Sequence, residues 1–272
     1  MKILLKGGRV VSGQGSRPAD VLLDGETVAA VEECLSTEGT QVVDCAGKLL
    51  FPGFIDGHTH FDLEVAGTIT ADDFASGSRA ALRGGTTTVI DFAAPDKGEP
   101  LAAGLARWRG KAEGRCACDY GFHMTIDDWN GGISQEIGEM VALGIPSFKM
   151  YMTYPAMMIG EGDMYRALLR LKEAGGIAGV HCENDGVIRA LVEEAKAAGR
   201  LSPGSHPRTR PAPLEAEAVG HLLRLAQVAD VPVIVVHLSA RESLEEVRAA
   251  RQRGQTVYVE TCPHYLLLSD SL

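Results

Sequence analysis

Val231-Pro232-Val233-Ile234-Val235-Val236-His237-Leu238 is the densest apolar run in the chain, and its neighbours decide how it folds. Helix-like segments stand on either side, residues 214–228 before it and 243–253 after it. The run is rich in β-branched residues, contains a proline and a histidine, and falls far short of the ~20 residues that span a bilayer. It reads as a strand buried on both faces between two helices, the repeating element of a parallel α/β protein.

The same alternation recurs outward from this point. From Phe51 onward, strand-like runs fall at residues 54–56, 86–92, 119–125, 145–151, 177–181, 233–237 and 256–261, with further helix-like segments at 72–83, 164–172 and 187–198. Gly84-Gly85, Gly144, Gly175-Gly176 and Gly254 each stand between a helix and the next strand, where glycine closes a helix. Seven βα-type strands predict an α/β protein, a (β/α)8 TIM-type barrel with seven of its eight units. A doubly wound open sheet accommodates seven strands as well, but no Gly-rich phosphate fingerprint follows the first of them. The first fifty residues differ, with short β-rich runs separated by Gly7-Gly8, Gly13-Gln14-Gly15 and Asp24-Gly25. They predict a small antiparallel β unit with its hairpin at Asp24-Gly25. The expected organisation is therefore part of a small β-sandwich domain over residues 1–50 and a barrel over 51–272, truncated before strand eight.

The chain has 272 residues, 45% of them apolar and 23% charged, as in ordinary globular proteins. With 26 basic against 36 acidic residues the formal charge is −10, and no Lys or Arg run stands out, which argues against a nucleic-acid or anionic-membrane partner. A small molecule is the expected partner. Lys6 and two glycines interrupt the N-terminus before an apolar stretch reaches signal-peptide length, so a cytoplasmic protein is expected. Six cysteines without a C-x-x-C pair read as buried reduced thiols and not as a structural zinc site.

In a parallel βα barrel the working residues stand at the C-terminal ends of the strands. His58 and His60 fall at the end of the first strand, His181 at the fifth and His237 at the sixth, while Lys149 interrupts the apolar fourth. The spacing of His58-Thr59-His60 sends both imidazoles to one side of a strand, where their neutral nitrogens can hold one cation. Alone, such a pair is more often a surface or hydrogen-bonded feature. His181 and His237 are each preceded by valine, and the same habit at three strand ends favours a site over satisfied core histidines. A buried lysine is costly unless paired, modified or deprotonated. Pairing with Glu183 or Asp91 is the plain reading of Lys149; a neutral amine could also act as a nucleophile or react with carbon dioxide.

At this point the chain resembles the dihydropyrimidinase and hydantoinase branch of the amidohydrolase superfamily. The matching stretches are Phe51-Pro52-Gly53-Phe54-Ile55-Asp56-Gly57-His58-Thr59-His60, Gly84-Gly85-Thr86-Thr87-Thr88, Ser147-Phe148-Lys149 with Tyr154, Val180-His181-Cys182-Glu183-Asn184, Val236-His237-Leu238-Ser239 and Glu260-Thr261-Cys262-Pro263-His264-Tyr265-Leu266. The resemblance implies two divalent metal ions, usually zinc (Zn2+). His58 and His60 would bind one ion, His181 and His237 the other, and a carbon dioxide-derived carboxylate on Lys149 would bridge them. It implies attack of a metal-bridging hydroxide on the amide carbonyl of a dihydropyrimidine or 5-substituted hydantoin, with Tyr154 as catalytic donor to the oxyanion. A substituent would rest near Leu63, Val65, Tyr151 and Met157, and the full-length protein would be a homo-oligomer, dimer or tetramer. The family's proton-shuttling aspartate of strand eight is expected beyond residue 272, which would leave this chain a poor catalyst.

Two rival readings stay open. Phe61-Asp62-Leu63-Glu64-Val65 after the histidine pair fits the pattern of neither dihydroorotase nor allantoinase, yet allantoinase or another cyclic amidase of the superfamily is the alternative enzyme. A non-catalytic dihydropyrimidinase-like scaffold is the other, and retention of all five ligands argues against it. His123, His206, His221 and His264 are expected to be structural or on the surface.

Overall fold

Gly7 and Gly8 bend a strand without ending it. In the computed structural model of the chain, which describes residues 1–65 and 67–269, β1 (Lys2–Ser12) runs straight through them. The pairing register shifts between Leu5 and Gly8 and Gly7 takes φ +78°, so the two glycines form a bulge. β2 (Gly15–Asp24) pairs antiparallel with β1 and with β3 (Thr27–Glu32), and Gly25 turns the second hairpin at φ +60°. The expectation of a purely antiparallel unit is corrected by β4 (Gln41–Asp44) and β5 (Leu49–Leu50), which both lie parallel to β1. The connection over residues 33–40 returns the chain to its starting end, so β4 sets out in the direction of β1. Buried Asp20 ties this unit together, accepting hydrogen bonds from the Gly7 N–H at 2.7 Å, the Leu35 N–H at 3.0 Å and the Lys6 ammonium at 3.3 Å. These donors, the Gly7 amide first, hold its carboxyl below the usual range against the opposing effect of burial. Residues Met1–Asp56 and Ala80–Thr88 form this compact unit, with Leu4, Ala19, Val21 and Cys45 in its core.

The second unit carries the alternation. Along the chain β6 (Phe54–Thr59) is followed by a hairpin of β7 (Glu64–Val65) and β8 (Thr68–Ile69), α1 (Phe74–Arg83), β9 (Thr86–Ala93), α2 (Leu101–Ala112), β10 (Asp119–Thr125), α3 (Gly131–Ala142) and β11 (Ser147–Tyr151). After these come α4 (Glu161–Ala174), β12 (Ile177–His181), α5 (Asp185–Ala197), α6 (His206–Thr209), α7 (Ala212–Ala229), β13 (Val233–Val235), α8 (Arg241–Gln252), β14 (Val257–Val259) and α9 (Pro263–Leu267). One seven-stranded sheet takes the order β14-β13-β12-β11-β10-β9-β6, and its pairings from β10 to β14 are parallel. These are seven of the eight strands of a (β/α)8 TIM-type barrel. Among the described residues no helix is long and apolar enough to cross a membrane.

Burial explains why the strands read as apolar runs. Phe148 and Met150 of β11 are fully buried, as are Met124 of β10, Val180 of β12 and Leu168, Val219 and Leu222 of the covering helices. Burying each such side chain contributes about 1.5–3 kcal/mol. The helix starts have local causes: the Asn130 side chain accepts from the Ile133 N–H to begin α3, and Asn184 accepts from Val187 to begin α5. α2 approaches its incoming loop so closely that a Cβ at Gly104 would lie 2.6 Å from the Pro95 nitrogen. β13 stops two residues short of its expected end because His237 takes the left-handed φ of +37°.

Candidate metal centre

Four imidazoles gather at the C-terminal ends of three strands. The ring centroids of His58 and His60 lie 5.1 Å apart, those of His58 and His237 5.6 Å, and those of His181 and His237 4.5 Å. Phe92 of β9 lies against the first pair, 4.5 Å from His58 and 4.8 Å from His60. The Lys149 ammonium sits 5.4 Å over Phe92 and 5.0 Å over Tyr151, and Tyr154 lies 5.1 Å from His181. His58, His60, Lys149, His181, His237 and Tyr154 therefore come together. Leu63 and Val65 do not join Tyr154: they line a cavity of about 450 Å³ with Trp108, Asp127 and Met157, whereas Tyr154, His181 and His237 line a cleft of about 680 Å³ with Glu183 and Arg210.

The hydrogen bonds fix most of the proton positions. A carboxylate only accepts, so His58 Nδ1 donates to Glu260 at 2.8 Å and His181 Nε2 donates to Glu183 at 2.7 Å. His181 Nδ1 then accepts from His237 Nε2 at 2.9 Å. Burial keeps three of them uncharged: it lowers His181, pulls His60 down to about 3 and pulls His237 down to about 2, with the Lys149 charge acting in the same direction on all three. Neutral imidazoles are the form a cation binds, and for His237 that form carries its proton on Nδ1 in place of Nε2.

Lys149 is 1% exposed, and burial draws its pKa down to about 7 against the attraction of Glu260. The two carboxylates weighed as its partners are committed elsewhere. Glu183 accepts from His181, and Asp91 accepts from Thr59, Phe61, Phe92 and Trp108. The residues fit a cation in two further respects. His60 Nδ1 is buried without a hydrogen-bond partner. Among the described residues no three His, Cys, Asp or Glu side chains gather around one point, so a cation held by a histidine pair would need a further donor of another kind.

Tyr154 and His237 both hold positive φ, +69° and +37°, a conformation that side chains other than glycine adopt at a cost. Two strained residues lining one cleft are a mark of a working site. Burial and Glu183 raise the Tyr154 pKa while Arg210 opposes them, so the phenol keeps its proton and can donate it. Two participants, Glu260 and Arg210, escaped the sequence reading. Glu260 follows β14, and the strand-end rule that picked out the histidines would have found it. His123, expected to be structural, donates from Nε2 to the Gly57 carbonyl at 2.9 Å and accepts from Ser147 Oγ at 2.6 Å, tying β10 to the strands on which His58 and Lys149 stand. Arg210 lies 3.6 Å from Glu183.

Imidazoles and a buried lysine gathered at the strand ends of a parallel (β/α) barrel sheet place the chain among barrels whose working residues stand at the C-terminal strand ends. The model of the Amidohydrolase family matches residues 49–271. The chain belongs to that family. It is 44% identical over 276 residues to a D-hydantoinase of Streptomyces coelicolor and 40% identical over 273 residues to one of Geobacillus stearothermophilus, covering 98% and 100% of this chain. Among solved structures it is similar to a dihydropyrimidinase from Brevibacillus agri, with a TM-score of 0.97 and 40% identity over 100% of the chain. The chain spans 59%, 58% and 59% of these three proteins.

Proposed function

We propose that this chain carries the metal centre of a cyclic amidohydrolase that opens the ring of dihydropyrimidines or 5-substituted hydantoins. The observation that supports it most is the pairing of imidazoles, His58 with His60 and His181 with His237, around a buried lysine that forms no salt bridge among the described residues. In this reading each pair holds one divalent cation, Zn2+ by preference. Lys149, carboxylated by carbon dioxide, would turn a costly buried charge into an anionic ligand for them. Bound there, the two cations would polarise the amide carbonyl and acidify the water that attacks it. Glu260 and Glu183 hold the protons on His58 Nδ1 and His181 Nε2 and so fix how those two rings are turned. The phenol of Tyr154, protonated at neutral pH, donates to the carbonyl oxygen as charge gathers on it. Leu63 and Val65 line the neighbouring cavity, where a ring substituent is held. Residues 51–272 are the barrel portion and 1–50 part of a smaller β domain, in a cytoplasmic homo-oligomer.

Metal analysis after loading with zinc and 13C-labelled bicarbonate tests this reading. Two ions per chain and a carbamate 13C resonance are expected, with the resonance absent in Lys149→Ala. Ring opening of dihydrouracil or 5-benzylhydantoin by the loaded protein is the functional readout. A folded chain that takes up neither zinc nor label would overturn the reading.

A further inference from the structure

Asp91 stands beside Phe92 on β9 but points the opposite way, towards the covering helix, and is 1% exposed. Its two oxygens divide their work. Oδ2 accepts from Thr59 Oγ1 at 3.0 Å and from the Phe61 N–H at 2.8 Å; Oδ1 accepts from the Phe92 N–H at 2.8 Å and from Trp108 Nε1 at 2.9 Å. Thr59 and Phe61 are the residues on either side of His60, and Thr59 also separates it from His58. Strand alternation turns Thr59 away from the imidazoles, so Asp91 grips the histidine strand from behind. Through the Phe92 amide it also fixes the backbone of the ring against which both imidazoles rest. His60 Nδ1 has no hydrogen bond of its own, so the direction of that ring is set by the residues flanking it and by Phe92.

We propose that Asp91 is a positioning residue that sets the mutual orientation of His58 and His60, and through it the affinity of that pair for a cation. The cation itself rests on the function proposed above; the orientation does not. A carboxylate that merely stabilised the fold would use its four donors alike. One that positions the histidines acts through Oδ2 on the histidine strand, and its indole contact is dispensable to them.

Three variants separate these roles. Thr59→Val removes the hydroxyl that reaches Oδ2 while keeping the side chain's shape, Asp91→Asn weakens both oxygens, and Trp108→Phe removes only the indole donor to Oδ1. Imidazole ring 13C–1H resonances of the metal-free chain are the first readout, and zinc affinity by chelator competition is the second. The His58 and His60 resonances should move in Thr59→Val and Asp91→Asn while those of His181 and His237 stay, and zinc binding at that pair should weaken about 10- to 100-fold, the range typical of groups that orient metal ligands. Trp108→Phe should melt earlier yet leave both readouts as in the wild type. Unmoved His58 and His60 resonances in Thr59→Val would overturn the proposal, and so would equal shifts in Trp108→Phe. If Asp91→Asn fails to fold, the Thr59→Val and Trp108→Phe comparison decides. A wild-type chain that binds no zinc counts against the metal reading alone, because the ring resonances still report on Asp91.

Discussion

Replacing Asp127 with asparagine should stabilise the protein at alkaline pH and leave it nearly unchanged in acid. Asp127 is 3% exposed and its Oδ1 has no hydrogen-bond partner. Burial pushes its carboxyl from 3.8 up to about 6, with Asp128 and Asp96 adding to the rise and Lys97 opposing it. The folded chain therefore holds this proton more tightly than the unfolded chain. Below about pH 4 both states are protonated and the site costs nothing. Between about pH 4 and pH 6 folding increasingly requires either a proton or a buried charge, and above pH 6 the penalty is constant. A rise of roughly 2 units at 1.36 kcal/mol each gives about 3 kcal/mol as its upper size. Because the asparagine amide also lacks a ready partner, a net gain of about 1–3 kcal/mol is expected near pH 8. Urea unfolding of both proteins at intervals from about pH 4 to pH 8 measures it. A stability difference that does not change with pH, or an asparagine variant less stable near pH 8, would refute the reasoning.

Lys149→Met in metal-free, carbon dioxide-free buffer should stabilise the chain by roughly 3–5 kcal/mol below about pH 7, where folding buries the charged ammonium, and by progressively less as the pH rises towards 10.5, where folding releases its proton ever more cheaply; parallel urea melts across that range check it. Asp20→Asn should cost about 1–3 kcal/mol near neutral pH by weakening a buried acceptor of three donors. Because that carboxyl is held below its ordinary value, the stability it contributes is present above about pH 4 and is lost as the pH falls further, so the two proteins should converge in acid melts. Phe148→Ala, at a position 1% exposed, should cost about 3–5 kcal/mol by denaturant titration without moving the far-UV spectrum.

What could be read from the sequence followed from strong local rules. β10 and β12 fall at the expected residues because strands covered on both faces must be apolar throughout. Glycines 85, 144, 175 and 254 take positive φ at the helix ends where they were expected. α2 was harder to see: its sequence LAAGLARWRGKA has small residues where it meets other backbone, and these blur a helical apolar stripe. The cysteines obey burial only in part, since Cys45 and Cys182 are buried while Cys34 is exposed. The gathering of His58, His60, Lys149, His181 and His237 was legible because a single rule about strand ends covers them all. The separation of Leu63 and Val65 from the Tyr154 cleft was not, because it depends on the course of loops that no periodicity records. Asp91 gave no signal of its role either, since an acid in a strand declares nothing until its four donors are seen.

The bond between His58 and Glu260 joins residues 202 positions apart. As the chain leaves the ribosome, the first histidine pair emerges long before the strand that supplies its carboxylate partner, and every intermediate length presents imidazoles without their final neighbours. Contacts at such separation close late, after the entropy of a long loop has been overcome. The His58–Glu260 bond is therefore a record of chain length: a probe of the His58 ring proton reports whether synthesis has passed residue 260, because a shorter nascent chain has no such carboxylate to offer.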